Sequence, residues 1–520
     1  MDISSEPLSH WPSSITTYRD ALLHVLEADP DRIVIRDSSG PISADGFLNR
    51  VGIMCLCLEG HAPPRTEAAS PPHIGIALHD NVWSMAAVIA SWFVRLTPLR
   101  LDHRQSADDL RQTIQANALR LVVTRQKRLR DCAAEVMLIE DPAHLLADAK
   151  QVALGRNLLA DIRQTIARAD DVAEFLTSSG VSGPARFYPV TQRGVLLQAI
   201  NAASDGHRGQ WGTALSAISA VFGGARLIWW RNLLYGRPIH ALPLLFTISE
   251  LDTALRDERV EECTLPPHIL RALVQHAAEH TGPVPRYPHL LKLQSIGGPA
   301  LAADKLAAQA VLSPRYVMTY SSTETGVAAK IEGEDLRRRP ESCGKPIEAV
   351  QVDIVDAEEI PLPVGTIGRI RVIRPKYIDG EYHLRTTWPG DLGWLDEEGY
   401  LFIAARGDGI ICHNGVNYSS SVLEAKLLGC PDAADVAVLR IPRAEGDDDT
   451  LIAVSPARSG NTVPIDLKRL ARDLRHRLSA HEQPQAIVLL GETHITPSGK
   501  IRRSAVLETY LSSPSKMVLI

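Results

Sequence analysis

The sequence predicts an α/β protein: a large N-terminal body of two layered α/β subdomains, a small β-barrel-like piece closing that body, and a smaller α+β C-terminal domain. Three observations predict it. Up to about residue 320, short β-branched runs alternate with amphipathic helical patterns, which is the rhythm of layered, largely parallel sheets. After Lys345-Pro346 the strand patterns crowd together and leave no room for helices between them. From about residue 411, helix and strand patterns return in a compact mixture. At 520 residues the chain also exceeds what one hydrophobic core can organise.

The predicted strands of the body are "RIVIR" (32–36), "HIGIAL" (73–78), "LRLVVT" (119–124), "DVAEF" (171–175), "ARLIWW" (225–230), "LKLQSI" (291–296) and "RYVMTY" (315–320). "SADDLRQTIQANA" and "PHILRALVQHAAEH" carry apolar residues at helical spacing between them. The β-rich piece spans 345–405, with "VQVDIVDAEE", "GRIRVIR" and "GYLFIAAR" as strands and "WLDEEGYLF" as a hairpin turning at Gly399. The C-terminal domain (411–520) offers a helix "SVLEAKLLG", strands "DVAVLRIP", "TLIAVSPA" and "QAIVLL", and a charged helix "IDLKRLARDLRHRLSAH". The polar "RGDGIICHNG" (406–415) joins it to the body.

A net charge of −6 with 22% charged and 45% hydrophobic residues argues against a dedicated binder of nucleic acid or anionic membranes. The seven cysteines are scattered and odd in number, which points to a reducing compartment rather than a disulfide framework. Cys55 and Cys57 form a C-x-C with no second pair at metal spacing, so buried thiols are expected there rather than zinc. "MDISSEPLSHWPSS" has neither a basic nor an apolar leader region. "GTALSAISAVFGGARLIWW" (212–230) reads as a buried helix, a Gly-Gly turn and a core strand rather than a membrane span. A cytoplasmic protein is expected.

Four stretches carry chemistry. "LTSSGVSGPARF" packs Thr177, Ser178, Ser179, Gly180, Ser182 and Gly183 behind the strand "DVAEF". Small residues let successive backbone N–H groups converge on a phosphate and the hydroxyls add donors, although the P-loop spacing is absent. "TYSSTETG" (319–326) sets Tyr320, hydroxyls and the carboxylate of Glu324 in a loop after a core strand. An aromatic there can stack on a base, and a carboxylate beside phosphates suits Mg²⁺; a capped turn explains the same residues. "WPGDLGWLDEEGYLFIAARGDG" places Asp391 in a Pro-Gly turn and Arg406 at a strand end. "HITPSGKIRR" (494–503) holds Lys500 behind a Pro-Ser-Gly turn.

In this order and spacing the stretches resemble the adenylate-forming superfamily: acyl- and aryl-CoA synthetases, luciferases and nonribosomal-peptide adenylation domains. The resemblance covers about residues 20–510, and "SIGGPAL" (295–301) looks like the family's adenine-side Gly-Gly loop. It implies a two-step reaction: a carboxylate attacks the α-phosphate of MgATP, releasing pyrophosphate, and a nucleophile then displaces AMP. Residue by residue, it implies that 177–183 and Arg186 hold phosphate. Gly297, Gly298, Tyr320, Ser321 and Ser322 line the nucleotide, with Tyr320 on adenine. Thr323 and Glu324 serve the α-phosphate and Mg²⁺, Asp391 and Arg406 hold the ribose hydroxyls, and Lys500 reaches the α-phosphate and the attacking carboxylate. A cation aimed at charge developing between two anions is the physical reason for that lysine. Asp408 falls at the family's hinge, within 406–410, so the C-terminal domain (411–520) is expected to be mobile against the body (1–405).

Four departures stand out. Ala185, Arg186 and Phe187 replace Pro-Lys-Gly; Pro389 replaces Thr; Gly409 replaces Asp; and Cys412 and Asn417 stand where several members carry Lys and Arg. The first half-reaction keeps its key residues, whereas the surface for the second is altered. The expected function is an ATP-dependent acid ligase passing an acyl or aryl group to CoA. A carrier-protein thiol or a free amine is the alternative acceptor, and a non-catalytic nucleotide-binding relative is the other rival. Substrate choice is expected from 201–300, with His207, Trp211 and Gly298 in the pocket and Gly223-Gly224 shaping it. The absence of a Phe-Asp pair there favours a neutral acid over an amino acid, and His207 fits a Gly-rich surface turn equally well.

Overall fold

The computed structural model describes residues 15–519 apart from 62–70, 79, 103–106, 130, 132, 134, 140–141, 164–166, 178–186, 205–211, 244, 280–281, 298–299, 323–324, 379–380, 407–409, 414–415, 428–432, 443–447, 457–468, 471, 473–477, 479–482, 492–493, 496–500 and 513–516. The chain divides into two compact units. The first comprises residues up to 179, 185–265 and 276–294, and the second 180–184, 266–275 and 295–520.

The first unit is layered α/β. Strands Glu262–Leu265, Ala214–Ser216, Ile239–Ala241 and Ile33–Asp37 lie side by side in parallel, and Gly40–Ser43 adds an antiparallel edge. A separate sheet orders Thr97–Arg100, His73–Ala77, Leu121–Thr124 and Glu135–Leu138, all parallel. Of these, Ile33–Asp37, His73–Ala77 and Leu121–Thr124 are the runs the sequence alternation predicts. Helix Asn81–Phe93 is buried along its whole length, as its apolar circumference demands. Around it Tyr18, Trp92 and Trp230 form an aromatic knot, with Tyr18 edge-on to both indoles at 5.9 and 5.0 Å. Tyr18 donates to the Trp230 carbonyl at 2.7 Å and Trp92 to the Ala173 carbonyl at 2.6 Å, so these side chains bury their polar atoms satisfied. Helices Ala44–Glu59 and Ala149–Ile162 cross at Gly52 and Gly155, where a Cβ on either would lie 2.7–2.8 Å from the other's backbone.

The prediction for residues 212–230, a buried helix, a Gly-Gly turn and a core strand, is overturned in all three parts: the strand comes first, and Gly223 and Gly224 open the helix. "ARLIWW" is not a strand: residues 223–234 form helix Gly223–Leu234, and the strand of this region is Ala214–Ser216, upstream of it. A six-residue apolar run has no period of its own, and tertiary partners decide it. Arg226 and Trp230, one turn apart, both point at the buried Glu174, while the Trp229 indole donates to Ser216 Oγ at 2.9 Å. A strand would send Trp229 and Trp230 to opposite faces.

The second unit begins with an antiparallel ladder, Tyr316–Ser322 against Gly326–Glu332 and then Lys345–Pro346. The β-rich piece follows as a five-stranded antiparallel sheet: Gln351–Val355, Gly368–Ile378, Asp391–Leu395 and Leu401–Arg406 in order, with Glu381–Thr387 also on Gly368–Ile378. Gly399 makes the predicted turn with φ 81°. The join contains a hairpin of its own, Ile410–His413 against Val416–Ser419. The C-terminal residues form a four-stranded sheet ordered Ala433–Pro442, Asp448–Pro456, Ala486–Leu489, Met517–Leu519, flanked by helices Ser420–Leu427 and Arg503–Ser512. Most of the charged helix expected at 465–481 lies outside the described residues.

Candidate nucleotide-binding site

Strand Tyr316–Ser322 delivers Tyr320 from the interior of the second unit. Its root is fixed where Tyr316 and Ser295 share a buried hydroxyl hydrogen bond of 2.6 Å. Tyr320 is itself buried, and its hydroxyl donates to Asp391 Oδ2 at 2.5 Å, a short bond of the charge-assisted kind. Asp391 opens its strand directly after Gly390, whose φ of 79° makes the turn that aims it. Across the ladder its register partner is Arg406. Residues that are 71 and 86 positions apart from Tyr320 in sequence thus converge: the expected adenine-stacking ring touches one expected ribose ligand, and the other stands opposite on the adjoining strand.

The ladder Tyr316–Ser322/Gly326–Glu332 closes at the pair Ser322–Gly326. Ser322 N–H donates to Thr325 Oγ1 at 3.2 Å, Thr325 N–H to Ser322 Oγ at 3.1 Å, and Thr325 Oγ1 to the Gly326 carbonyl at 2.9 Å. This reciprocal lock fixes both ends of a tip whose two residues, Thr323 and Glu324, lie outside the described residues. Arg374, reaching over from strand Gly368–Ile378, donates to the Thr325 carbonyl. Gly326 has φ +65°, and its missing side chain leaves the space that the Arg374 guanidinium takes. The sequence reading missed Arg374, because nothing local distinguishes it from the other arginines of "GRIRVIR".

Gly297 has φ +91° just past strand Lys292–Ser295, so the backbone there needs glycine. Gly298, its neighbour, lies outside the described residues, as do His207 and Trp211, the hinge residue Asp408, Lys500, and Ser178, Ser179, Gly180, Ser182, Gly183 and Arg186. Thr177 ends strand Val172–Thr177, which pairs antiparallel with Phe187–Thr191; Thr177 opposite Phe187 is the last pair, so 178–186 connects a hairpin.

The strand entering that hairpin is anchored from beneath. Glu174 is fully buried and accepts from Arg100, Arg226 and, at 2.8 Å, the Trp230 indole. Arg226 also donates to Gln198 at 2.6 Å. Burial pushes Glu174 toward the neutral acid, but the two guanidinium groups prevail and hold it below the usual carboxylate range. Burial brings Arg100 down to about 10, still charged at neutral pH. Two buried arginines thus share one carboxylate on strand Val172–Thr177.

With this geometry in view, comparison with known proteins is decisive on family. The family model for AMP-binding enzymes matches residues 67–380, which include 177–186 and the 319–326 hairpin. The chain belongs to the AMP-binding enzyme family. This is the adenylate-forming superfamily its motifs resemble. Among curated relatives of this AMP-binding enzyme, an uncharacterized acyl–CoA ligase, YhfT of Bacillus subtilis, is 30% identical over 212 residues, which is 40% of this chain and 43% of that protein. The first curated relatives are matched over 39–56% of their own length. Among solved structures, o-succinylbenzoate CoA synthetase (MenE) from Bacillus subtilis superposes with a TM-score of 0.71 at 17% identity, covering 94% of this chain and 97% of that one. The amide bond synthetase McbA from Marinactinospora thermotolerans gives 0.71 at 19%, covering 94% and 99%. The α/β architecture is therefore that of adenylate-forming enzymes.

Proposed function

We propose that this AMP-binding enzyme is an ATP-dependent carboxylic acid ligase that forms an acyl- or aryl-adenylate with release of pyrophosphate and passes the acyl group to CoA. The observation that carries the reading is the bond between Tyr320 and Asp391, with Arg406 as the register partner of Asp391. The Tyr320 hydroxyl orients the Asp391 carboxylate, an acceptor suited to a ribose diol, and Arg406, its register partner, is a residue type that would supply donors. Thr323 and Glu324 fall in sequence between Ser322 and Thr325, which bond to each other. Glu324 would hold Mg²⁺, which when bound neutralises phosphate charge. Lys500 would place its ammonium against the α-phosphate and the attacking carboxylate. Relatives named as CoA ligases and an acyl-adenylate-bound MenE support the reaction class.

A second reading keeps adenylation and changes the acceptor to an amine or a carrier-protein thiol. Hairpin Ile410–His413/Val416–Ser419 puts Cys412 directly opposite Asn417. Two separate departures from the family pattern therefore fall on one register pair, at positions where the resemblance expects cations that would suit a phosphate-rich acceptor such as CoA.

The test is pyrophosphate release from MgATP across aryl, short-chain and long-chain acids, with Lys500→Ala alongside. Acid-dependent release that the variant lowers by about two orders of magnitude or more is expected, as for loss of a group acting on transition-state charge. Release that ignores the acid, or that Lys500→Ala leaves intact, refutes the reading. Faster turnover with CoA and a thioester product selects the first acceptor; indifference to CoA selects the second.

A further inference from the structure

The stem of the lysine loop is built with more care than a loop needs. Ile495 and Ile501 form an isolated antiparallel bridge that brackets residues 496–500. Just outside it, Arg502 N–H donates to the His494 carbonyl at 2.7 Å, and His494 N–H to the Gly491 carbonyl at 3.0 Å. The His494 ring is 8% exposed and is held at both nitrogens: Gly491 N–H reaches Nδ1 at 2.9 Å, and Nε2 lies 2.8 Å from Thr509 Oγ1. A backbone N–H can only donate, so Nδ1 accepts and the proton sits on Nε2, which donates to the Thr509 hydroxyl. Thr509 belongs to helix Arg503–Ser512. That helix is itself fixed to the sheet by Val506 in the local core, and by Arg503 donating to the Val438 carbonyl and to Glu424, each at 2.5 Å. A rigid path thus runs from the sheet through the helix and the imidazole to the N-terminal side of the stem.

We propose that His494 is a positioning residue for Lys500: its neutral imidazole fastens the stem of the 496–500 loop to the following helix and so fixes where the ammonium is delivered. The inference rests on the role given to Lys500 above. Without the ring, Gly491 N–H loses its acceptor and the N-terminal side of the stem loses its tie to Thr509, while Ile501 on the other side stays packed on the local core. Displacing a catalytic group by about 1 Å can lower a rate about a hundredfold, so the imidazole acts on the step Lys500 serves and on no other.

The experiment uses the full chain. His494→Ala is expected to lower the maximal rate of pyrophosphate release about ten- to a hundredfold, with the KM for ATP changed by less than about twofold. Thr509→Val moves it the same way, and His494→Asn, which returns an acceptor near the Nδ1 position, restores part of the rate. In a Lys500→Ala background, measured at high enzyme concentration, His494→Ala has no further effect, because a group acting through Lys500 has nothing left to position. Transfer from a preformed acyl-adenylate is unaffected. Equal losses in both half-reactions, independent multiplication of the two substitutions, or a native rate for His494→Ala each overturn the proposal while leaving the ligase reading intact. A native rate for Lys500→Ala instead overturns the role of Lys500 itself. Amide exchange needs no substrate: Gly491 and Arg502 N–H are protected in the native chain and exchange about fivefold faster or more in His494→Ala or, should that variant fail to fold, in Thr509→Val. Unchanged protection refutes the proposal whatever the activity.

Discussion

Asp391 shows how much one side chain can be asked to do. Its Oδ2 is occupied by the Tyr320 hydroxyl, so its orientation is set before any nucleotide arrives. Hydrogen bonds to charged groups contribute about 1.5–3 kcal/mol, and on the proposed reading Asp391→Ala should raise the KM for ATP about tenfold or more. Tyr320→Phe keeps the ring and removes the orienting hydroxyl, so a rise of only a few-fold is expected. Both are read from initial rates of pyrophosphate release at saturating acid, and a native KM in Asp391→Ala would remove Asp391 from the nucleotide site. Both residues were legible in the sequence as a Tyr-Ser-Ser-Thr-Glu loop and a Gly-Asp turn. Their contact was not, since no local pattern encodes a meeting across 71 positions. Arg374 escaped for the same reason: its role comes from the glycine it covers, on another strand.

At the scale of elements, the apolar runs in Ile33–Asp37, His73–Ala77 and Leu121–Thr124 form the strands their β-branched residues predict, whereas the run at 225–230 does not. "PHILRALVQHAAEH" became helix Pro267–Glu279, whereas "ARLIWW" was misread because its helical partners, Ser216 and Glu174, lie elsewhere. The Gly52–Gly155 crossing belongs to this scale too. Neither glycine has a positive φ, so the sequence marks neither as required, yet each approaches the other's backbone too closely for a methyl group. Gly52→Ala should destabilise the first unit by about 1–3 kcal/mol, the usual result of overpacking, although alanine favours helices by about 1 kcal/mol over glycine. Thermal unfolding would measure it, and an unchanged or higher Tm would mean that the two helices slide apart freely.

For the whole molecule, acid sensitivity offers a test of the first unit. Asp252 is buried; burial alone would raise its pKa, but hydrogen bonds from Arg286 and Tyr287, at 2.5–2.7 Å, outweigh it and hold it down at about 2. A carboxyl with a depressed folded-state pKa stabilises the fold above its unfolded value, about 3.9, and loses that contribution as pH falls from there through about 2. Asp252→Asn should therefore lower the Tm at pH 6 and narrow its gap to the native chain at pH 2–3. A constant gap across that window would mean that the carboxylate charge is irrelevant there. Among the described residues no helix is long and apolar enough to cross a membrane, and none of their acidic, histidine and cysteine groups gathers into a metal cluster.

The sequence by itself determined the family, because the motifs that mark it are residue types at short spacing. It also indicated the α/β layering of the body and the antiparallel piece after Lys345, through the alternation of short β-branched runs with helical patterns and the crowding of strands after it. Only the tertiary structure decided that Tyr320 grips Asp391, that Glu174 anchors strand Val172–Thr177, that residues 223–234 coil, and that the His494 ring is held by Gly491 and Thr509. Each of these is a bond between residues distant in sequence or a close backbone approach, and such contacts are fixed by packing rather than by the identity of neighbours in the chain.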